Sequence, residues 1–169
     1  MLGYSNPLGK NEVKNFLQTK LHPGMKILDM GPGQGTYYNL LGSVYEWSGV
    51  EIWPAAVKEL EGKYKYIYEM DIRNFVYTDY YDLVIFGDVL EHMTVEDAQK
   101  CIATAKENAD SILIAFPYDT KQGAIYGNDA EIHIQYNSTP EEFDKNYPGF
   151  QRIYYLEQYQ YAYYYWSKN

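Results

Sequence analysis

The stretch that most constrains this chain is Ile27-Leu28-Asp29-Met30-Gly31-Pro32-Gly33-Gln34-Gly35. An apolar run containing an acid opens into three glycines spaced two apart, and a helix-compatible stretch, residues 36–44, follows at once. Strand, glycine turn and helix in that order bring bare backbone up to a ligand at the edge of an α/β sheet. The spacing discriminates between ligands. Gly-x-Gly-x-x-Gly receives a pyrophosphate, whereas these glycines read Gly-x-Gly-x-Gly with an aspartate just ahead. A carboxylate there repels a pyrophosphate and attracts an ammonium group, which argues for a cationic cofactor without phosphate.

The alternation continues along the chain. A first helix starts near Asn6-Pro7, with Val13, Phe16, Leu17 and Leu21 on one face, and His22-Pro23-Gly24 stops it. Strands are expected at residues 25–30, 47–51, 64–69, 81–86 and 111–116. Helices are expected at 36–44, with Leu40, Leu41 and Val44 inward, and at 54–62, with Pro54 in the first turn. Thr94 caps a helix running to about residue 108, and Thr139-Pro140-Glu141-Glu142 opens a shorter one by the same capping logic. Two aromatic runs, 150–156 and 159–166, are parted by Glu157-Gln158 and read as a hairpin. Strands alternating with helices imply a parallel sheet, and strands apolar on both faces belong at its centre. At 169 residues the chain suits one domain, 1–169, with a three-layer core and no room for a second.

Charge narrows the partners. Lys and Arg total 14 against 23 Asp and Glu, a net charge of −9 with no basic run, so nucleic acid is not expected as a partner. The single cysteine, Cys101, excludes an intrachain disulfide and reads as a small hydrophobe on a helix. No leader pattern and no apolar run of membrane-spanning length is present, so a soluble, cytoplasmic protein with no membrane partner is expected. Tyrosine, 21 residues in all, crowds the C-terminal third, as amphipathic edge strands would. An exposed edge of that hairpin would serve to pair two copies.

Ligands of such sheets lie beyond the carboxyl ends of the strands. The exits carry Asp29 with the glycine turn, Glu51, Asp71, Gly87-Asp88 and Pro117-Tyr118, so four of five bring a carboxylate. Glu51 could accept from both hydroxyls of a ribose, or could cap the helix after it. Asp71 could meet a ligand or serve a turn. His92 and His133 are the candidates to take a proton at neutral pH, while His22 sits in a turn away from the strand exits. His133 lies in Glu131-Ile132-His133-Ile134, which reads equally as an edge strand. The loop 118–138 is long enough for a lid, with Gly123 and Gly127 to let it move. No Cys/His cluster points to a metal.

Two motifs carry a resemblance. The run Asp29 to Gly35 resembles the first motif of class I S-adenosylmethionine-dependent methyltransferases. Residues 81–93, an apolar strand leading into Asp88 and then Leu90-Glu91-His92, resemble that family's fourth-strand motif. The succession of elements matches over nearly the whole chain, and the specific motifs lie in its first half. The resemblance implies an α/β, Rossmann-like three-layer sandwich whose seven-stranded, mostly parallel sheet has an antiparallel last strand. It implies S-adenosylmethionine as cofactor and S-adenosylhomocysteine as product. Asp29, Gly31, Gly33 and Gly35 would receive the cofactor, and Glu51 its ribose. Ile52 or Trp53 would pack on the adenine, Asp71 and the Ile72 amide would meet its edge, and Asp88 would lie beside the methionine part. His92 or His133 would act as base, Glu91 would turn away to support its loop, and Tyr4 would cover the cofactor.

Methyl transfer from a sulfonium is an in-line displacement with the leaving group already activated, so no metal is obligatory. The place after the fourth strand holds Gly-Asp-Val-Leu instead of the Asn-Pro-Pro-Tyr or Asp-Pro-Pro-Tyr of enzymes that methylate amino groups of DNA, RNA or protein glutamine. With little inserted sequence to dock a macromolecule, a small-molecule acceptor methylated on oxygen or nitrogen is expected. A non-catalytic S-adenosylmethionine-binding or interaction protein within a biosynthetic assembly is the alternative. A nicotinamide oxidoreductase is opposed by the glycine spacing, the acid before it and Leu90-Glu91-His92.

Overall fold

A computed structural model describes residues 7–125 and 127–168. Tyr4 lies outside the described residues. Strand β1 (Lys26–Met30) leads into helix α2 (Thr36–Leu41), which follows an initial helix α1 (Lys10–Gln18). Then come β2 (Glu46–Glu51), α3 (Pro54–Leu60), β3 (Tyr66–Glu69), β4 (Leu83–Gly87), α4 (Val95–Asn108) and β5 (Ser111–Pro117). Helix α5 (Pro140–Asn146) and the strands β6 (Gln151–Leu156) and β7 (Tyr161–Ser167) complete the succession. The strands form one sheet of order β3-β2-β1-β4-β5-β7-β6, in which β7 runs antiparallel to both its neighbours and the other six share one direction. This is the Rossmann-like sheet with an antiparallel last strand that the sequence leads one to expect.

The strands bury both faces because their residues alternate between two apolar layers. Leu28, Val84, Ile112 and Tyr164 pack against Ala98, Ile102 and Ala105 of α4 and Phe143 of α5. Ile27, Leu83, Leu113 and Tyr163 pack against Val13 and Leu17 of α1, Leu41 of α2 and Leu60 of α3. Helices therefore cover both faces, and the carboxyl ends of the parallel strands open at one rim. Thr94 caps α4 by accepting from the Asp97 amide, and Thr139 and Glu142 form a reciprocal capping box on α5.

Two local expectations are corrected. Helix α2 stops at Leu41, because Gly42 takes φ 94° and turns the chain away. Val44, expected to face inward, is consequently 55% exposed, and Tyr37 fills the core in its place. The hairpin also opens later than its aromatic run suggests. Gln160 adopts a left-handed conformation, φ 47°, and β7 begins only at Tyr161. Among the described residues no helix is long and apolar enough to cross a membrane.

Candidate active site

The strand exits enclose a cleft of about 460 Å³, within the range of small-molecule and cofactor sites. On its β1 side the glycine turn forms the wall. Gly31, Gly33 and Gly35 all have positive φ, and the Gly31 amide donates to the Val50 carbonyl at 2.8 Å, which draws the turn against β2. A Cβ on Gly31 would collide with Val89 Cγ2, so only bare backbone fits between the turn and the segment after β4. Gly31 and Gly33 line the cleft. Gly35 is instead the N-cap of α2 and lies behind it.

Asp29 also lies behind. It is buried in the layer beneath β1 and accepts a hydrogen bond from the Tyr64 hydroxyl at 2.9 Å. Burial raises its carboxyl to about 7, against the hydrogen bond from Tyr64. Glu51 faces the cleft. One carboxylate oxygen accepts from the Gly33 amide and the other from the Trp53 amide, each at 2.9 Å, so the side chain ties the glycine turn to the start of α3. Burial raises its carboxyl and the two amides partly offset this. Ile52 and the half-buried Trp53 stand beside it on the cleft wall.

Asp71 and Ile72 line the far side. Arg73 engages Asp71 through its amide and its guanidinium, and holds that carboxyl below its ordinary range. An adenine edge would have to share Asp71 with Arg73. Asp88 follows β4 in a left-handed conformation, φ 57°, which is costly for a residue with a Cβ. The Tyr161 hydroxyl of β7 donates to its carboxylate. Below it Gly87 admits the Tyr37 ring, where a Cβ would collide with Tyr37 Cε2. Tyr37 accepts a hydrogen bond at 3.0 Å from Lys10, a lysine buried on α1.

Structure brings together the two histidines that the sequence leaves apart. The loop after β5 carries His133 to His92, with ring centroids 4.7 Å apart. Glu91, expected to turn away, is corrected: it is fully buried, lines the cleft and approaches both rings. Its Oε1 is 3.9 Å from Nε2 of each histidine. Leu90 and Glu91 are the buried residues of the 3₁₀ turn Leu90–His92, over which the later loop is fastened by the Ile134 and Gln135 amides donating to the Glu91 carbonyl. The contacts with the histidines are not ion pairs. Burial, with Asp88 adding to it, pushes the Glu91 carboxyl well above the usual range. Burial and then the neighbouring imidazole lower His92 to about 4, and burial lowers His133.

The cleft is acidic. Glu51, Asp71, Asp88, Glu91 and Glu131 line it, against Arg73, which is already paired with Asp71. A cationic ligand suits such walls. Tyr161, Tyr37 and Glu131 were not singled out by sequence. Tyr161 lies in a tyrosine-rich strand where nothing distinguishes it from its neighbours until the sheet pairs it with Pro117 at the end of β5, within reach of Asp88.

Residues 28–107 match the family model of the methyltransferase domain. Among curated proteins none matches the sequence. Solved structures share the fold. An S-adenosylmethionine-dependent methyltransferase from Clostridium acetobutylicum ATCC 824 superposes with a TM-score of 0.67 at 11% identity, over 91% of this chain and 87% of that one. An N-methyltransferase from Bradyrhizobium japonicum WM9 gives 0.66 at 10% identity, over 96% and 97%. A magnesium protoporphyrin IX methyltransferase from Synechocystis PCC 6803, with S-adenosylhomocysteine bound, gives 0.66 at 20% identity, over 92% and 80%.

Proposed function

We propose that this chain is a class I S-adenosylmethionine-dependent methyltransferase, a reading supported by the methyltransferase-domain match over residues 28–107 and the shared fold, and that it transfers the cofactor's methyl group to an oxygen or nitrogen of a small molecule held in the acidic cleft. The observation that carries the proposal is that cleft itself, closed by the bare turn Gly31–Gly33 on one side and by Glu91, His92 and His133 on the other. The sulfonium and ammonium of the cofactor suit its carboxylates. Glu51 would take the ribose hydroxyls with the lone pairs its amide donors leave, Ile52 and Trp53 would flank the adenine, and Asp71 and Ile72 would meet its edge. Gly31 and Gly33 would pass beneath the methionine part, with Asp88 beside it. Asp29 and Gly35 would act from behind, through the shape and charge of the turn.

In the transfer, the acceptor's lone pair forms a bond to the methyl carbon as the carbon–sulfur bond breaks. The bonding pair returns to sulfur, leaving a neutral thioether, and the acceptor's proton passes to a base. His92 and His133 are held neutral and are the groups placed to receive it. Among the structures similar in fold, the Bradyrhizobium enzyme is named an N-methyltransferase and another, from Micromonospora echinaspora, an amino pentose methyltransferase. A cytoplasmic enzyme without nucleic-acid partners, paired through the outer strand β6, belongs to the same reading.

Calorimetric titration with S-adenosylmethionine, S-adenosylhomocysteine and NAD in parallel tests it. The expected result is micromolar binding of the two sulfur ligands and none of NAD. Glu51→Gln should weaken both by roughly 1.5–3 kcal/mol, about tenfold to a hundredfold, through loss of charge-assisted hydrogen bonds. Binding of NAD alone, or full affinity in Glu51→Gln, would overturn the proposal.

A further inference from the structure

We infer that Glu91, His92 and His133 form a binding site for one divalent transition-metal ion on the acceptor side of the cleft, and that the acceptor is a hydroxyl compound bound through that ion. The inference deepens the reading above and rests on it for the role of the ion, though not for its binding.

The geometry is that of ligands awaiting a centre. One donor atom from each residue lies within 4.8 Å of the others. His92 Nδ1 faces the Ile132 carbonyl at 3.3 Å, and His133 Nδ1 faces the Thr120 carbonyl at 2.7 Å. A carbonyl only accepts, so in each ring the proton sits on Nδ1 and the lone pair on Nε2. Each Nε2 lies 3.9 Å from Glu91 Oε1. That is beyond hydrogen-bond reach, so no shared proton links them. Among the described residues neither carboxylate oxygen of Glu91 has a hydrogen-bond partner, although the side chain is fully buried. A buried carboxyl without a donor is costly, and a cation between the three groups removes the cost.

Backbone carbonyls receiving the second ring nitrogen are the usual outer partners of metal-bound histidines. The cluster is also held in place before any ion arrives. Glu91's carbonyl accepts from the amides of Ile134 and Gln135, at 2.8 and 3.0 Å. The Gln135 side chain donates to the carbonyls of Leu90 and Met93, and accepts from the Tyr147 hydroxyl at 2.8 Å. The loop that carries His133 is thereby fastened to the turn that carries Glu91 and His92. Ligands about 2.1 Å from one tetrahedral ion lie about 3.4 Å apart, so closing the cluster needs side-chain movement of about an ångström.

Two imidazoles and one carboxylate suit zinc, manganese, iron or cobalt, and not magnesium or calcium, which take oxygen ligands. Three protein ligands leave coordination positions open, and these residues line the cleft, so the open positions face the acceptor. An ion there would lower the pKa of a bound alcohol or phenol and present its oxygen to the methyl carbon, the proton passing to solvent, because both Nε2 lone pairs that serve as base in the metal-free site would then be held by the ion. That function favours oxygen over nitrogen as the atom methylated.

The test is titration of the chelator-stripped protein with Co²⁺ followed by absorption, and with Zn²⁺ and Mg²⁺ followed by calorimetry. One equivalent of Co²⁺ and of Zn²⁺ should bind, with visible cobalt bands of a nitrogen-and-oxygen site, and Mg²⁺ should not compete. Glu91→Gln and His133→Asn should each weaken Zn²⁺ binding by about tenfold or more, with circular dichroism confirming the fold. Should Glu91→Gln fail to fold, His133→Asn and His92→Asn decide. No stoichiometric Co²⁺ or Zn²⁺ binding, or binding that survives in the double variant His92→Asn/His133→Asn, overturns the inference. S-adenosylhomocysteine titrated into the same sample separates the two readings. Its binding without metal binding sinks only the metal site, and metal binding without it sinks the cofactor reading.

Discussion

Asp29 points into the layer under β1, with the Tyr64 hydroxyl as partner and Glu51 and Lys10 as charged neighbours. Its carboxyl is raised from 3.8 to about 7, chiefly by burial. The unfolded chain releases that proton at lower pH, so the group's contribution to stability is complete below its unfolded pKa. It is lost as the pH rises through about 7. Asp29→Asn removes this dependence while keeping an acceptor for Tyr64. Its denaturation free energy relative to wild type should therefore rise by about 2–4 kcal/mol between about pH 4 and about pH 8. A difference that stays flat with pH would show that Asp29 is ionised throughout. At this scale the sequence is legible wherever backbone chemistry dictates the residue. The glycines of the turn, Glu51 and Asp88 all stand where strand exits place them. Side-chain direction was not legible. Asp29 points away from the cleft and Glu91 into it, because the register of β1 and the loop packed over the turn Leu90–His92 decide those directions, and neither is written in residue type.

At the scale of elements, capping and apolar runs were sufficient signals. The strands β4 and β5 are buried along their whole length because no residue in either run is charged. Thr139 and Glu142 form the box that their spacing predicts, fixing the start of α5 and hence Phe143, which stacks on Tyr164. Thr139→Ala should cost about 0.5–2 kcal/mol, read as a lower urea midpoint with an unchanged slope. A midpoint unmoved would mean that burial of Phe143 alone holds the helix. The end of α2 was misjudged because Leu40, Leu41 and Val44 have helical spacing, while Gly42 interrupts the backbone between them. The loop 118–138 was legible as long, but not as the arm that joins His133 to His92. That joining depends on Gln135, whose hydrogen bonds reach back to Leu90 and Met93.

For the molecule as a whole, a net charge of −9 and a cleft lined by five acids both oppose a phosphate backbone. A fluorescently labelled RNA hairpin should show no rise in anisotropy with micromolar protein at near-physiological salt, and tight binding would overturn the small-molecule reading. The layered architecture was legible from the alternation of elements. The position of β7 between β5 and β6 belongs to the whole sheet, since both tyrosine-rich strands would have fitted beside β5. That position has a kinetic side. The hydroxyl that steadies Asp88 comes from Tyr161, 73 residues further along the chain, and a pairing of such separation closes a large loop before it is rewarded. Strands β1 and β2 need only one crossover helix to meet, whereas this corner of the cleft waits for a partner 73 residues away. Recovery of ligand binding after dilution from denaturant is thus a clock for the final long-range pairing, and recovery of helical signal is not.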